Sequence, residues 1–320
     1  QVGNFLSGGL ENTVLGINET LISKGFQVGL LVLGEAGQAI ERAKNLGIKI
    51  YQIKFDLSTY RNLIMTLAPK LMLAHYSIEG AEICHNLGIP FFQVIHNIYM
   101  WFDENQLKNF QESIPFTELF VAGSDYSKSY SVKRLGIPEE KCLVIHNGVD
   151  IEKIMSIDSI NERSLIRKKY NFSSQDLVLL SVAGITHQKN ILGLIKAFHL
   201  ALPHCPMAKL VILGPAYEKI LLDEINLYIS KNQLGNSIYY LGEAEEALKY
   251  YYMADVFILA SFFEGGPLVF LEALAAGLPI ISTEVGFAKY FKSTEGIECV
   301  SPPIDIFDYH GTIWELESNR

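Results

Sequence analysis

The stretch Ser261-Phe262-Phe263-Glu264-Gly265-Gly266-Pro267-Leu268-Val269-Phe270-Leu271-Glu272-Ala273-Leu274-Ala275-Ala276-Gly277 decides how the rest of the chain is read. It follows an apolar run, Val256–Leu259, with the composition of a buried strand. It leads into a predicted helix, Leu268–Ala276, which Gly277 ends before Leu278-Pro279 opens another strand. Strand, glycine loop, helix and strand make a βα unit of a parallel sheet. Pro267 suits the first helical position, where its missing N–H costs nothing. The backbone N–H groups of Leu268 and Val269 then lack intrahelical partners, and the helix dipole behind them favours an anion such as phosphate. Gly265 and Gly266 remove side chains where a ligand must approach the backbone. Glu264 and Glu272 flank this anion site. A carboxylate there is electrostatically awkward unless it accepts hydrogen bonds from hydroxyls, which sugars and ribose supply. A helix cap followed by a solvent-facing glutamate is the simpler alternative, but two glycines, a proline and two acids coincide here.

Outward from this unit, short apolar runs alternate with helical patterns along the whole chain. Strands are predicted at Gln27–Leu33, Lys70–Ala74, Pro90–Ile95, Leu119–Ala122 and Cys142–Ile145. Helices are predicted at Glu11–Lys24, Ile78–Leu87 and Ser127–Leu135, stopped by Gly25, Gly88 and Gly136. After His146-Asn147-Gly148-Val149-Asp150 the chain turns polar, with Arg163, Arg167, Lys168 and Lys169 on a connecting helix. A second series of strands follows at Leu177–Ala183, Ala208–Leu213, Ser237–Tyr240, Val256–Leu259, Pro279–Ser282 and Ile297–Val300. The expected architecture is α/β, with two Rossmann-like domains, residues 1–150 and 151–320, facing across a cleft. Sites belong at the carboxyl ends of the strands. Only Gln1–Phe5 precede the first glycine turn, so the strand expected there is either truncated or very short.

Composition narrows the function. The chain has 320 residues, 49% hydrophobic and 19% charged, which suits a globular protein of two domains. A net charge of -9 speaks against nucleic acid as a partner, since phosphate backbones require a basic face. A local basic patch on a membrane-facing side remains compatible with it. Cys84, Cys142, Cys205 and Cys299 are widely spaced and in no metal-ligand pattern, so free thiols in a reducing, cytoplasmic setting are expected.

The segment SFFEGGPLVFLEALAAGLPIISTEVG resembles the donor signature of the family-four (group 1) retaining glycosyltransferases with the B-type, or GT-B, fold. The family's two glutamates, separated by seven residues, match Glu264 and Glu272. The resemblance implies that Glu272 grips the nucleotide ribose and that Glu264 contacts the transferred sugar near its reaction centre. Gly266 stands where the family often has an aromatic, which implies a roomier sugar pocket. Gly8-Gly9-Leu10-Glu11 is similar to the family's amino-terminal glycine loop, which faces the donor phosphate. His96, in Val94-Ile95-His96-Asn97, matches a histidine that hydrogen-bonds the sugar and supports transfer. The tract Val144–Asp150 resembles the interdomain segment, where Asn147-Gly148 makes a tight turn. Ser181–Asn190 resembles the family's Gly-Arg…Lys loop, with Gly184 as the glycine and Lys189 as the lysine that neutralises the donor diphosphate. Ile185 takes the place of the arginine, in a loop one residue shorter. Losing one preorganised donor at such a site costs on the order of 3 kcal/mol. On this reading His187 or another cation compensates, the enzyme is slow, or the protein only binds; in the last case Ile185→Arg is expected to restore turnover. The tract from Leu241 to Val256 resembles the family's segment before the signature, which implies that backbone around Tyr240–Gly242, including Leu241, borders the nucleobase. Tyr250-Tyr251-Tyr252 reads as core packing with one exposed ring.

The resemblance implies a retaining glycosyltransferase that moves a sugar from a nucleoside-diphosphate sugar, UDP- or GDP-linked, to a hydroxyl acceptor on a glycan or lipid-linked precursor. No Asp-x-Asp tract is present, so neither a catalytic metal nor another cofactor is implied. A sugar-nucleotide epimerase of the same fold is an alternative, as is a catalytically weak nucleotide-sugar or glycan-binding subunit. No G-x-G-x-x-G follows a strand, which disfavours a nicotinamide dehydrogenase. The acceptor is not specified, although Tyr99, Met100, Trp101 and Phe102 after His96 read either as an apolar acceptor wall, a membrane-touching lip or internal packing. The carboxyl end precedes the closing helix that the family usually has.

Overall fold

The structure, a computed structural model, describes residues 1–6, 8–307, 309, 312 and 313. The chain separates into two compact units, Gln1–Asn147 and Gly148–Arg320.

In the first unit, β1 (Gly29–Val32) pairs in parallel with β2 (Lys49–Gln52). A second parallel sheet runs β3 (Met72–His75), β4 (Phe91–Ile95), β5 (Leu119–Ala122), β6 (Cys142–Val144). Val2 lies between the two sheets and bridges in parallel to both Val32 and His75. Its N–H donates to Leu31 O at 2.9 Å and its carbonyl accepts from Leu33 N at 3.0 Å. Of the strand expected at the start of the chain, Val2 is the residue that joins the two sheets. Val2 and Phe5 are fully buried beside Val14, Leu30 and Val32. β2 was not expected, because the tract Lys49-Ile50-Tyr51-Gln52 sits at a sheet edge with polar ends and carries little apolar signal. The helix expected at Ser127–Leu135 begins earlier, at Asp125, where Ser124 forms a capping box with Ser127. Its last turn, Ser131–Leu135, is π-helical and ends at Gly136, whose φ of 79° lies in the left-handed region.

The second unit holds one parallel sheet of six strands, ordered β12-β11-β10-β7-β8-β9. These are β7 (Leu177–Val182), β8 (Ala208–Leu213), β9 (Ile238–Tyr240), β10 (Val256–Leu259), β11 (Ile280–Thr283) and β12 (Ile297–Val300). The chain lays strands outward from β7 in one direction, then returns to lay β10 on its other side. That reversal opens a crevice at the carboxyl ends of β7 and β10, where α/β sheets bind ligands. Alternate strand residues fill the two faces. Val178, Leu180, Phe257 and Leu259 pack with Tyr251 and Phe270 on one side. Leu210, Ile212 and Ile258 pack with Ile191, Ile195 and Phe198 on the other. Burying each such side chain contributes roughly 1.5–3 kcal/mol.

The connecting helix Ser159–Lys169 is pinned to this sheet by Asp255. Its carboxylate takes Arg163 and Arg167, each at 2.5 Å, and the Val178 N–H at 2.8 Å. Burial alone raises the Asp255 pKa, but the Val178 amide and the two guanidiniums outweigh it and hold the carboxyl below its usual range. The four cysteines are free thiols, Cys84 and Cys142 buried and Cys205 and Cys299 half-buried. Among the described residues no helix is long and apolar enough to cross a membrane.

Candidate functional site

The loop Ser261–Pro267 leaves the carboxyl end of β10 wholly buried. Thr283 at the end of β11 donates its hydroxyl to Ser261 O at 2.7 Å and holds the loop from one side. The backbone of Gly286, at φ 55°, closes it from another: a β-carbon there would meet Pro267 Cδ at 2.6 Å and Gly266 Cα at 3.4 Å. Glycine is thus needed at 286 both for its conformation and for this close approach. Pro267 is the N-cap rather than the first helical residue, because its ψ of 112° is extended. The helix runs Leu268–Ala275, which leaves the amides of Leu268 and Val269 at its first two positions, still without intrahelical acceptors.

Glu264 is 4% exposed, and its carboxylate gathers three side chains. Oε1 accepts from Ser261 Oγ at 2.6 Å and from Lys189 Nζ at 2.6 Å, while Oε2 accepts from Gln188 Nε2 at 3.3 Å. Two of these donors come from the loop after β7, across the crevice. That loop is laced to the β10 loop by further bonds. Phe262 N–H donates to Gln188 O at 2.9 Å, Gln188 Nε2 to Phe263 O at 3.0 Å, and Asn190 Nδ2 to Ala260 O at 3.2 Å. Lys189 and Glu264, 75 residues apart, therefore form one ion pair at the switch point. Gln188 is a member of this cluster that sequence reading missed, because its partners are remote in the chain.

Glu272 lies on the next turns of the helix and accepts from Tyr251 Oη at 2.6 Å. Burial raises the Glu272 pKa, partly opposed by the Tyr251 hydroxyl and by Lys153. Burial first, and the nearby carboxylate second, push the Tyr251 phenol well above its usual value, so it remains a donor. The tyrosine triplet is core packing, as expected, but none of its rings is fully exposed. Tyr251 is fully buried, and Tyr250 and Tyr252 are half-buried. Tyr251 is the second missed member, since a helix-borne tyrosine carries no mark of the acid it will hold.

Leu241 continues β9 with its N–H on Ile212 O at 2.9 Å, and Gly242 O accepts from Gly214 N at 2.7 Å. Tyr240 Oη donates to Gly214 O at 3.0 Å. Gly184 is covered by an aromatic ring: a β-carbon there would meet Tyr217 Cε2 at 2.7 Å. Ile185 does not project from the loop. Its side chain is fully buried among Ile191, Ile195 and Leu210, its N–H donates to Pro215 O at 2.8 Å, and it bridges Ala216. The place where the resemblance looks for an arginine thus faces the core. His187 faces the Glu218 carboxylate through Nδ1.

The remaining expected residues lie in the first unit. Gly8, at φ 139° and ψ -163°, holds a conformation open essentially to glycine alone, and Gly9 starts the helix Gly9–Ser23. Glu11 in its first turn is buried and accepts from Leu6 N at 2.8 Å. His96 follows β4 and meets His75, the last residue of β3, with Nε2 and Nδ1 2.7 Å apart. Burial pushes His96 down to about 4, and His75 well below its usual value, the latter with a contribution from His96. Of the apolar residues after His96, Tyr99 and Met100 are buried packing, while Trp101 and Phe102 are half-buried.

Residues 162–320 match the family model described as glycosyl transferases group 1, and residues 7–153 match that described as Glycosyltransferase Family 4. The chain is 24% identical over 263 residues to an uncharacterized glycosyltransferase of Methanocaldococcus jannaschii, covering 76% of this chain and 63% of the relative. It is 27% identical over 209 residues to the UDP-Gal:alpha-D-GlcNAc-diphosphoundecaprenol alpha-1,3-galactosyltransferase of Escherichia coli, covering 62% and 52%. The chain therefore spans less than two thirds of the length of these two curated relatives. Among solved structures, HepE of Anabaena in complex with UDP-glucose superposes with a TM-score of 0.79 at 18% identity, covering 94% of this chain and 85% of that one.

Proposed function

The chain belongs to the group 1 glycosyltransferases of family four and has their GT-B fold, and on that premise we propose that it transfers a sugar from a nucleoside-diphosphate sugar to a hydroxyl acceptor. The observation that carries this reading is the cluster of buried Glu264 and Ser261 with half-buried Gln188 and Lys189 at the switch point, beside a helix start with two open amides. A departing diphosphate gains negative charge as the sugar leaves. Lys189 and the amides of Leu268 and Val269 are preorganised donors of the kind that stabilise such charge. A bound diphosphate would compete with Glu264 for the Lys189 ammonium, which has three protons to share.

A carboxylate offers about four lone-pair sites, and three are engaged at Glu264, so one remains for a sugar hydroxyl. A glutamate so committed is poorly placed to act as a free base. We therefore favour attack from the face the diphosphate leaves, with a phosphate oxygen taking the acceptor proton. That route retains the anomeric configuration and needs neither a protein base nor a catalytic metal. His96 takes a sugar hydroxyl and Glu272 the ribose. The donor proposed first is a UDP-sugar, as for HepE and the Escherichia coli relative, with a GDP-sugar second. A lipid-linked or glycan hydroxyl is the proposed acceptor, reached from the cytoplasmic face of a membrane. Incubation with UDP-, GDP- and ADP-sugars is expected to give transfer or slow hydrolysis from one of them, unaffected by chelator. Neither product from any donor sinks the proposal.

One observation favours a second reading. Ile185 faces the core, and His187 is held by Glu218, so the loop after β7 brings only Lys189 to Glu264 as a cation. A protein that binds the donor without transferring it would show a calorimetric isotherm with no turnover.

A further inference from the structure

We infer that His75 is a positioning residue for His96, holding that imidazole through one N–H···N hydrogen bond so that only its Nδ1 is offered to a ligand. The inference rests on the proposed role of His96 at the sugar.

The juxtaposition is built by the sheet. β3 and β4 are parallel neighbours with His75 opposite Val94, so both strands end at the same edge and deliver the two rings side by side. The backbone of His75 is fixed by its N–H on Gln1 O at 2.8 Å, and its side chain is 3% exposed. The rings lie 5.0 Å apart between centroids and 27° from parallel. A separation of 2.7 Å between His75 Nδ1 and His96 Nε2 requires one proton and one lone pair between them. Two imidazolium ions cannot meet that requirement, and two neutral rings can. The burial that keeps both rings uncharged agrees with this.

The consequence is a restriction on His96. Whichever ring carries the shared proton, Nε2 is occupied, and Nδ1 takes the complementary state. The bond sets the ring plane and ties the tautomer of His96 to that of His75, as in other sites where a second group orients a functional imidazole. Tyr76 also stacks on His96, with centroids 5.4 Å apart and planes 30° from parallel. Tyr76 holds φ 51°, which is rare for a bulky residue and brings its ring over His96. Among the described residues, the titratable groups facing this pair are the Tyr76 and Tyr99 phenols and the amino group of Gln1, and no carboxylate among them shifts either imidazole. Nothing nearby therefore favours a charged ring.

Three variants and one spectrum test the inference. Nitrogen-15 shifts of the unliganded protein are expected to show His96 as one neutral tautomer with Nε2 hydrogen-bonded, and a mixture of tautomers in His75→Ala. In transfer assays, His75→Ala is expected to lower kcat at least about tenfold with the donor KM unchanged. Its acid limb is expected to move up toward the ordinary histidine range as water reaches His96. His75→Asn, whose amide sits near the place of Nδ1, is expected to recover most of the loss. A freely exchanging His96 tautomer in the wild-type protein overturns the inference. So does a His75→Asn protein as slow as His75→Ala with an unmoved acid limb. The spectrum needs no turnover, so it decides the pairing even if no donor is transferred. A fully active His96→Ala protein would instead remove the proposed role of His96 and leave the pairing intact.

Discussion

Replacing Ile185 by arginine separates the loop as the family resemblance presents it from the loop as it is folded. If position 185 faced the donor, a new guanidinium there would recover the missing cation and raise turnover. The structure gives the opposite sign. Ile185 is fully buried in the cluster of Ile191, Leu194, Ile195 and Leu210. Removing its apolar contacts forfeits roughly 2–3 kcal/mol. Seating an unpaired guanidinium among aliphatic side chains adds several kcal/mol more, and Glu218, whose N–H donates to Ile185 O, turns its carboxylate to His187. The sum is at least about 5 kcal/mol, comparable with the whole stability of a typical domain, about 5–15 kcal/mol. Urea unfolding followed by circular dichroism should show a large drop in midpoint or an insoluble product. Ile185→Val, as a control, should lose only about 0.5–1.5 kcal/mol. An Ile185→Arg protein within about 1 kcal/mol of the wild type, and with raised kcat, would refute the burial argument and restore the donor-facing reading.

Three further outcomes follow from the same geometry. Tyr251→Phe removes the 2.6 Å donor to Glu272 and should cost about 1–3 kcal/mol in stability; weaker UDP binding by calorimetry is expected with it, and unchanged affinity would detach Glu272 from the nucleotide. Lys189→Ala should lower kcat about a hundredfold, and a kcat within a factor of two of wild type would remove Lys189 from the leaving-group site. Stability should fall with acid: His96 titrates near 4 when folded and near its ordinary 6.5 when unfolded, so the unfolded chain takes up the proton first. Its contribution is complete above pH 6.5, declines as pH falls from 6.5 to 4, and is on the order of 3–4 kcal/mol at most. In His96→Asn that part of the slope should vanish, and an unchanged slope would assign it elsewhere.

The six strands of the second unit and the glycine-rich turn into the helix at Leu268 were legible in the sequence, because fully buried parallel strands read as short apolar runs and helix boundaries carry local marks. The edge strand Lys49–Gln52 was not, since half its residues are polar and local propensity there is weak. The two signature glutamates were likewise visible, because glycines, proline and acids lie within one short tract. Their partners were not. Lys189 and Gln188 reach Glu264 only because β7 and β10 are neighbours in the sheet, and Tyr251 reaches Glu272 only through packing of one helix on another. The pairing of His75 with His96 depends in the same way on β3 and β4 ending at one edge. The sequence by itself determined where the buried strands and the glycine-rich loop lie, since those follow from local propensity and periodicity. Which side chains complete the site, and that Ile185 points inward, were decided by strand order and packing, which join residues with no sequence proximity.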